Sequence, residues 1–215
     1  MPDRGRGARV RHPIFARVYE RIAAGAERAG TAEHRQRLLA GLAGRVVEVG
    51  AGTGLNFRHY PEAVAEVIAV EPEAYLREAS RAAAVEHGRV RVVEGTADLL
   101  PLADGSADAA VVSLVLCSVP DQGGALAELH RVLRPGGELR FYEHVRASDP
   151  RRARWQRRVD PLWTRLAGGC HLARDTEGAI RAAGFAVEDC DRFLFEPCAL
   201  SGLTAPHILG RARRH

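Results

Sequence analysis

The sequence predicts a doubly wound α/β fold, in which a mostly parallel sheet carries helices on both faces. Short β-branched runs alternate with helical stretches along the chain. The run at 109–116 is the most hydrophobic of them, as expected of a strand that is buried on both faces. Strands that alternate with helices form right-handed βαβ units, and such units build a parallel sheet. A chain of 215 residues, 46% of them hydrophobic, is long enough for one domain with its own core.

The first part of the chain predicts two helices behind a loose terminus. Residues 1–12 are rich in Arg and Gly and predict a flexible basic terminus, so a single domain is expected at 13–215. Apolar residues recur at helical spacing over 13–29. Thr31 is a candidate N-cap of a second helix, which is predicted to run to about residue 43 and to stop at a glycine.

The middle of the chain predicts a ligand-binding core of five strands. Each strand is a β-branched or apolar run, and glycine or proline ends the helices between them. The predicted strands are 45–49, 67–70, 90–93, 109–116 and 138–145, and the predicted helices are 73–87 and 125–133.

After residue 145 the pattern changes. An Arg-rich segment with Trp155 and Trp163 leads into a helix predicted at 175–183, and strand candidates follow at 186–193 and 207–211. The two tryptophans are eight residues apart, so they fall on one face if this segment is helical. The predicted parts of the domain are the N-terminal helices (13–43), the core (44–145), a covering segment (146–183) and the C-terminal strands (184–215).

Charge and composition exclude several kinds of function. All 31 basic residues are Arg, which excludes a lysine Schiff base and a lysine general base. The net charge is +4, with basic segments at 1–11, 146–158 and 211–215 and an acidic remainder. No aromatic residues are interleaved with the basic ones in a base-reading pattern, so no nucleic-acid partner is expected. The basic segments are either a solvated surface or a contact for an anionic substrate or a lipid surface.

The same composition predicts a cytoplasmic protein. The longest nearly apolar run, 109–117, is about half as long as a membrane-spanning helix, so no transmembrane segment is expected. No apolar stretch of a signal peptide follows the basic N-terminus. Four cysteines form no C-x-x-C pair and nine histidines show no ligand spacing, so free thiols and no metal are expected.

A glycine-rich loop after the first predicted strand is the strongest functional signal. Glu48 precedes the G-x-G-x-G run at 50–54, and glycine lets a backbone turn sharply and approach a ligand closely. Ligands of open α/β sheets bind at this end of the strands. A dinucleotide fingerprint needs a glycine where Leu55 stands, which disfavours a nicotinamide dehydrogenase. Glu71, which ends the second strand, is placed to accept both hydroxyls of a ribose.

Four motifs together resemble those of class I S-adenosylmethionine-dependent methyltransferases, namely Glu48–Gly54, Glu71, Gly95–Asp98 and Arg134–Gly137. The resemblance implies a seven-stranded sheet with its last strand antiparallel, N-terminal helices that act as a lid, and S-adenosylmethionine as the cofactor. It implies that the glycine loop lines the methionine portion, Glu71 holds the ribose, 96–98 contact the adenine and 114–117 pass under the sulfonium. The implied cofactor-binding residues are Glu48, Gly50, Ala51, Gly52, Gly54, Asn56, Glu71, Pro72, Thr96, Ala97, Asp98, Leu114 and Leu116.

A closer resemblance covers almost the whole chain. Similar motifs occur in the alkyl-thiol methyltransferase-like proteins of animals and in their bacterial relatives, which implies a thiol as the methyl acceptor. Those animal proteins carry a hydrophobic N-terminal anchor where this chain has an Arg-rich start, so membrane attachment is not implied. The motifs are Asn56-Phe57, Tyr60-Pro61, Leu116–Val119, Glu143–Val145, Trp155-Gln156, Gly169-Cys170, Arg174 and Pro206–Ile208.

His144 is the candidate catalytic residue, because it ends the fifth strand at the rim where chemistry occurs. It is a base, a residue that orients the substrate, or a structural histidine. The reactive form of a thiol acceptor is the thiolate, so a base would serve to remove its proton. Phe15 and Tyr19 are candidates for the lid, with core packing as the alternative. Candidate acceptor contacts, each with a purely structural alternative, are Cys117, Trp155, Trp163, Cys170 and His207.

The predicted function is methyl transfer to a small, hydrophobic acceptor, with a thiol favoured. Transfer from a sulfonium is an in-line displacement that needs proximity, alignment and a dry pocket. The segment 116–119 reads Leu-Cys-Ser-Val and not Asn-Pro-Pro-Tyr, which disfavours amino nitrogens of nucleobases or glutamine. O-, N- or C-methylation of a lipid, quinone or natural-product intermediate is the alternative. A protein that binds the cofactor without catalysis is the alternative from another class.

Overall fold

A seven-stranded sheet with helices on both faces forms the protein, as a computed structural model shows for residues 13–197 and 201–215, with the backbone alone described for 13–19. The strands are β1 (Gly44–Val49), β2 (Val64–Val70), β3 (Val90–Val93), β4 (Ala107–Ser113), β5 (Leu133–His144), β6 (Phe185–Leu194) and β7 (Pro206–Arg214). The helices are α1 (Pro13–Ala26), α2 (Ala32–Leu39), α3 (Ala74–Ala84), α4 (Gln122–Val132), α5 (Pro150–Leu166) and α6 (Thr176–Ala182), with short helical turns at Glu27–Thr31, Phe57–His59 and Ser201–Leu203.

The strand order is β3-β2-β1-β4-β5-β7-β6. Strands β1 to β5 pair in parallel, and β7 runs antiparallel to both of its neighbours, β5 and β6. The predicted seven-stranded sheet with an antiparallel last strand is therefore confirmed. The order reverses between β1 and β4, and in such sheets ligands bind in the crevice outside the carboxyl ends of the strands at this point.

Both faces of the sheet centre are buried, which explains why its strands are hydrophobic without alternation. In β1, Val47 and Val49 face a core shared with α4 and α6, while Val46 faces a second core shared with α2 and the Phe57–His59 turn. Acidic side chains begin four of the helices by accepting a backbone N–H in the first turn, which satisfies an otherwise unpaired donor. These caps are Glu73, Asp121, Asp149 and Asp175.

Three predicted element ends are wrong, two of them for identifiable reasons. Thr31 does not cap α2, because the chain stays helical through a turn kinked at Gly30 (φ +119°), and the Thr31 side chain makes no capping hydrogen bond. The helix also ends at Leu39, four residues earlier than predicted. Strand β4 ends at Ser113 and not at residue 116, because Leu114 adopts a left-handed conformation (φ +59°) and turns the chain out of the sheet. This turn shapes the site described below.

Other predictions differ at one end of an element or lie outside the described residues. The Arg-rich covering segment forms α5, and β5 begins five residues before the predicted strand. Among the described residues no helix is long and apolar enough to cross a membrane. The predicted flexible terminus at 1–12, the side chains of Phe15 and Tyr19, and Cys198 lie outside the described residues.

Candidate active site

The glycine loop leaves β1 through three residues with positive φ: Gly50 (+71°), Gly52 (+58°) and Gly54 (+83°). A Cβ at Gly50 would lie 2.5 Å from Cγ2 of Val115, so the absence of a side chain lets this loop touch the loop after β4. Only the three-residue turn Phe57–His59 follows before β2. The loop therefore presents no α-helix N-terminus, the usual site for a pyrophosphate, which agrees with the missing dinucleotide fingerprint.

Glu48 is buried beside the glycine loop and is the centre of a polar network. Its carboxylate accepts hydrogen bonds from Asn56 Nδ2 (2.9 Å) and from the Tyr60 hydroxyl (2.8 Å), while burial raises its pKa. Arg35, which sequence reasoning missed, donates to Asn56 Oδ1 at 2.8 Å and is itself buried. Arg35 lies on α2, 21 residues before Asn56, and no local sequence motif indicates that it belongs to this cavity. The residues that line the cavity are Arg35, Glu48, Gly50, Ala51, Thr53, Leu55, Asn56 and Ser113.

Glu71 is buried at the carboxyl end of β2 and fixes the glycine loop. One carboxylate oxygen accepts from Gly52 N at 2.8 Å, and the other accepts from Glu73 N at 2.9 Å. Burial raises the pKa of Glu71 to about 7. A carboxylate has about four lone-pair positions, and these bonds occupy two of them. Two lone-pair positions of the carboxylate remain, and the two hydroxyls of a ribose require two acceptor positions. Glu71 therefore fits the cofactor that the sequence implies.

The residues implied for the adenine lie in the next turn of the sheet edge. Thr96 and Leu99 form an isolated antiparallel bridge, which folds the segment after β3 back on itself. Ala97 is buried in this turn and Asp98 is exposed. Pro72, half-buried, follows Glu71, and its carbonyl oxygen accepts from Arg77 Nη1 at 2.9 Å.

The carboxylate of Glu143 holds the loop after β4 in place. This fully buried side chain accepts from three consecutive backbone N–H groups, Val115 (2.9 Å), Leu116 (3.0 Å) and Cys117 (3.1 Å). On the other side, the Leu116 carbonyl oxygen accepts from Arg174 Nη1 at 2.6 Å. Sequence analysis singled out Glu143 and Arg174 only as parts of family motifs. Their neighbours in the sequence give no sign that both clamp this loop.

Cys117, His144 and Cys170 come together at the carboxyl ends of β4 and β5, and we call them the sulfur cluster. The Nε2 atom of His144 lies 3.7 Å from Cys117 Sγ and 3.5 Å from Cys170 Sγ. Both sulfurs are buried, while the imidazole is half-buried. Burial raises the pKa of Cys117, and the Cys117 thiol together with burial raises the pKa of Cys170. Burial lowers the pKa of His144, but Cys170 and Glu143 more than offset this, so the net shift is upward.

The other candidate acceptor contacts lie at different distances from this cluster. Trp163 joins it, because its Nε1 donates to Cys170 Sγ at 3.3 Å. Trp155 is 60% exposed on α5. His207 is buried, donates from Nδ1 to the Ala205 carbonyl at 2.8 Å, and has its pKa lowered to about 4 by burial, so it is neutral near pH 7. Its ring stacks on Tyr142 at 5.2 Å and meets His144 edge-on at 5.7 Å.

Two cavities flank the segment that follows His144. One, of about 270 Å³, is mostly apolar and has His207, Phe193 and Leu194 in its wall. The other, of about 330 Å³, is mostly polar and includes Arg146, Arg157, Arg174 and Arg192. Both cavities include Val145, which follows His144 directly in the chain.

This strand order, with a glycine loop after β1 and a buried acid after β2, defines the class I S-adenosylmethionine-dependent methyltransferases. Residues 47–141 match the family model of a methyltransferase domain. The thiol S-methyltransferase TMT1B of Homo sapiens is 37% identical over 184 residues, which are 81% of this chain and 73% of that protein. TMT1A of Homo sapiens is 36% identical over 172 residues, which are 78% of this chain and 69% of that protein.

Solved structures agree with these relatives. A methyltransferase of Thermotoga maritima, described as a possible histamine N-methyltransferase, is 27% identical with a TM-score of 0.70, covering 94% of this chain and 97% of that one. A geranyl diphosphate methyltransferase in complex with S-adenosylmethionine has the same fold, with a TM-score of 0.70 at 18% identity over 99% of this chain and 93% of that one. The chain therefore belongs to the S-adenosylmethionine-dependent methyltransferases, in the same family as the animal proteins TMT1A and TMT1B. It is an enzyme, and S-adenosylmethionine is its cofactor.

Proposed function

We propose that this enzyme transfers the methyl group of S-adenosylmethionine to the sulfur of a small, hydrophobic thiol. The observation that carries the proposal is the sulfur cluster, which lies at the carboxyl ends of β4 and β5, next to the loop that touches the glycine loop. Soft, polarisable sulfur atoms and an imidazole suit a sulfur acceptor better than a hard oxygen acceptor. The names of the animal relatives, thiol S-methyltransferases, support the same acceptor.

We propose that the cofactor is held along the edge formed by β1, β2 and β3. Gly50, Ala51, Gly52 and Gly54, with the Glu48–Asn56 network, line the methionine portion, and the Arg35 guanidinium pairs with its carboxylate. Glu71 and Pro72 hold the ribose side, and Thr96, Ala97 and Asp98 contact the adenine. In the same proposal α1 and α2 form the lid. Glu20 of α1 accepts a hydrogen bond from the Tyr75 hydroxyl of α3 at 2.8 Å, which anchors α1 beside this edge.

The bound cofactor supplies an electrophilic methyl group on a positively charged sulfur. The chain contributes position and a dry site. Leu114 and Leu116 in the loop clamped by Glu143 fix one wall, while His144 contacts the incoming sulfur from the opposite side. The apolar cavity beside His207 receives the hydrophobic part of the acceptor. Burial of Cys117 and Cys170 keeps water from the reacting atoms.

A panel of acceptors tests this proposal. Alkyl and aryl thiols, phenols, amines and lipids are each incubated with the full-length enzyme and S-adenosylmethionine, and release of S-adenosylhomocysteine is measured. We expect turnover of hydrophobic thiols, with a rate that rises with pH toward the acceptor's own pKa, because only its thiolate reacts. Turnover of phenols, amines or lipids without turnover of any thiol would overturn the thiol assignment. Cofactor binding with no turnover at all would favour a non-catalytic binding protein.

The exposed face of α5 supports a second proposal, that the enzyme works at an anionic lipid surface. Trp155, Leu162 and Leu166 are 60%, 62% and 72% exposed and lie seven and four residues apart, which places them on one stripe of the helix. The same helix contains six Arg and one Asp. A basic helix with an exposed aromatic and aliphatic stripe is typical of a segment that lies in the membrane interface. We propose a cytoplasmic enzyme whose free thiols suit a reducing compartment, in peripheral contact with a membrane.

Vesicle sedimentation tests the lipid contact. The wild-type protein is expected to bind vesicles that contain phosphatidylserine and to leave them at high salt, while vesicles of phosphatidylcholine alone bind it weakly. The double variant Trp155→Ser/Leu162→Ser should lose this binding. Val85→Ser, which removes an 83% exposed apolar residue directly after α3, is the matched control and should keep this binding. Equal binding of the double variant and the wild type would contradict the proposal.

A further inference from the structure

We propose that Cys117, His144 and Cys170 bind a Zn²⁺ ion that holds the acceptor thiol. The sulfur atoms and the imidazole nitrogen of these residues all lie within 4.8 Å of one another. The residues come from the loop after β4, the end of β5 and the segment after α5, so no local C-x-x-C or histidine spacing marks them. The binding of zinc rests on this geometry alone, while its role rests on the proposed thiol methylation.

Two of the distances equal those of a tetrahedral site. Zinc bonds are about 2.3 Å long to a thiolate and about 2.0–2.1 Å long to imidazole, so sulfur and nitrogen at a tetrahedral angle are about 3.6 Å apart. In this structure His144 Nε2 lies 3.7 Å from Cys117 Sγ and 3.5 Å from Cys170 Sγ, and Cys170 Sγ also lies 3.8 Å from His144 Nδ1. Cys170 Sγ is therefore beside the imidazole ring and not in line with the Nε2 lone pair, so the ring must turn before one ion reaches all three atoms. Two thiolates and one imidazole are also the donor set that suits zinc.

The surroundings of the sulfurs suit metal-bound thiolates. Trp163 Nε1 donates to Cys170 Sγ at 3.3 Å, and the Ser118 hydroxyl lies 3.4 Å from Cys117 Sγ. Donors of this kind hold and tune the ligands of metal sites. The backbone at Gly169 (φ +89°) packs closely against Ser118, since a Cβ at Gly169 would lie 3.0 Å from the Ser118 carbonyl oxygen. This close packing brings the adjacent Cys170 near to Cys117. The charges of two thiolates would also neutralise the ion, which lowers the cost of burying it.

Three protein ligands leave one position of a tetrahedral ion open, as in catalytic rather than structural zinc sites. Among the described residues no further His, Cys, Asp or Glu joins the group. Of the three ligands, His144 alone is partly exposed. A molecule can therefore reach the open position from the side of the imidazole. We assign this open position to the acceptor sulfur.

The reaction then balances without an oxidant or reductant. The thiol loses its proton to solvent when its sulfur binds the ion, because a coordinated thiol is deprotonated. A lone pair of this sulfur forms the new carbon–sulfur bond. The bond between the methyl group and the sulfonium breaks at the same time, and its electron pair stays on the departing S-adenosylhomocysteine. The thioether product is neutral and binds zinc more weakly than the thiolate, so it can leave.

Zinc content of the full-length protein tests the site. After incubation with Zn²⁺ and removal of free ion, elemental analysis should find about one zinc per chain, and a Co²⁺-loaded sample should show tetrahedral bands with sulfur charge transfer. Cys170→Ser and Cys117→Ser should weaken zinc binding by more than about tenfold. Cys190→Ser, a half-buried thiol outside the cluster, should leave it unchanged. A thermal shift with S-adenosylhomocysteine shows which variants are folded.

The outcomes separate this site from the proposed function. If the wild type takes up no zinc, if folded Cys170→Ser binds it equally well, or if intact mass shows a Cys117–Cys170 disulfide as the native form, the metal site is wrong. If zinc-free enzyme methylates thiols at the full rate, the proposal that zinc holds the acceptor is wrong and the thiol function stands. If zinc binds as expected but no thiol is turned over, the site stands and the thiol function falls.

Discussion

The edge proposed to hold the cofactor and the edge proposed to hold the acceptor are built by different means. The cofactor edge, formed by the loops after β1, β2 and β3, is joined by near contacts such as Gly52 to Glu71, which are 19 residues apart. The acceptor edge, formed by the loops after β4 and β5 and by 170–174, is joined by distant ones such as Arg174 to Leu116, 58 residues apart. A substitution at the acceptor edge should therefore disturb segments that are far apart in the sequence.

The largest effect is expected from His144→Ala on the acceptor edge. The imidazole contacts both sulfurs, and loss of a group that acts on the acceptor's proton or thiolate costs about 10²–10⁴-fold in turnover. We expect kcat to fall by this factor while the Kd of S-adenosylmethionine changes little. His130→Ala on α4, which packs against Phe185, is the control. A lower melting temperature with normal turnover of the folded fraction would show that His144 is only structural.

Glu143→Ala should destabilise the loop after β4, because it removes the acceptor of three backbone hydrogen bonds. Its three backbone partners would be left buried without an acceptor, and each such group costs about 1–3 kcal/mol. We expect the free energy of unfolding, measured in urea, to fall by at least about 3 kcal/mol, and Glu143→Gln to fall less. Glu66→Ala, on β2, removes only exposed ion pairs to Arg45 at 3.0 Å and Arg91 at 3.7 Å and should cost under about 1 kcal/mol. Similar losses for both alanine variants would contradict the clamp.

Gly50→Ala tests whether the two edges touch. Alanine at φ +71° costs about 1–2 kcal/mol by itself, and its Cβ would meet Val115 on the acceptor edge. We expect a total loss of about 2–3 kcal/mol in chemical denaturation together with slower turnover. Gly88→Ala, where a Cβ meets no atom within 4 Å, should leave stability within about 0.5 kcal/mol. If both variants behave alike, the contact between the loops is not the cause.

Glu71→Ala should weaken binding without disturbing the acceptor edge. Hydrogen bonds to a charged group contribute about 1.5–3 kcal/mol, so calorimetry should show a ten- to hundredfold weaker affinity for the cofactor. The wild-type affinity should also rise between pH 6 and pH 8. Burial raises the pKa of Glu71 to about 7, so below that pH the carboxyl is mostly protonated and has one acceptor oxygen fewer. Unchanged affinity in the variant would remove Glu71 from the ribose site.

Sequence reasoning succeeded where signals are local. Glycine spacing predicted the tight turn after β1, and the predicted strand 67–70 placed Glu71 at the end of β2, because tight turns and strand ends are governed by residues a few positions apart. It failed at Thr31 and Leu114 for the same reason. Nothing near Leu114 shows that its N–H will bond the Tyr142 carbonyl at 2.7 Å and that β4 will end three residues early.

The charged residues that support both edges could be assigned only from the tertiary structure. Arg35, Glu143 and Arg174 are ordinary charged residues in sequence, and their roles depend on which loops the sheet brings beside them. Burial then decides what each can do, since a charged group away from water must find partners. Glu143 finds three backbone donors and Arg174 finds the Leu116 carbonyl, both across long separations in the chain.

The sequence by itself determined the class of fold, the cofactor and the position of the glycine loop, because hydrophobic period and turn chemistry act over short distances. The tertiary structure alone decided that Cys117, His144 and Cys170 meet. These three side chains come together because β4 lies beside β5 and because the glycine at 169 allows a close approach to Ser118. The sequence spacing of the three residues predicts neither condition. Contacts of this kind arise only when the whole sheet has formed.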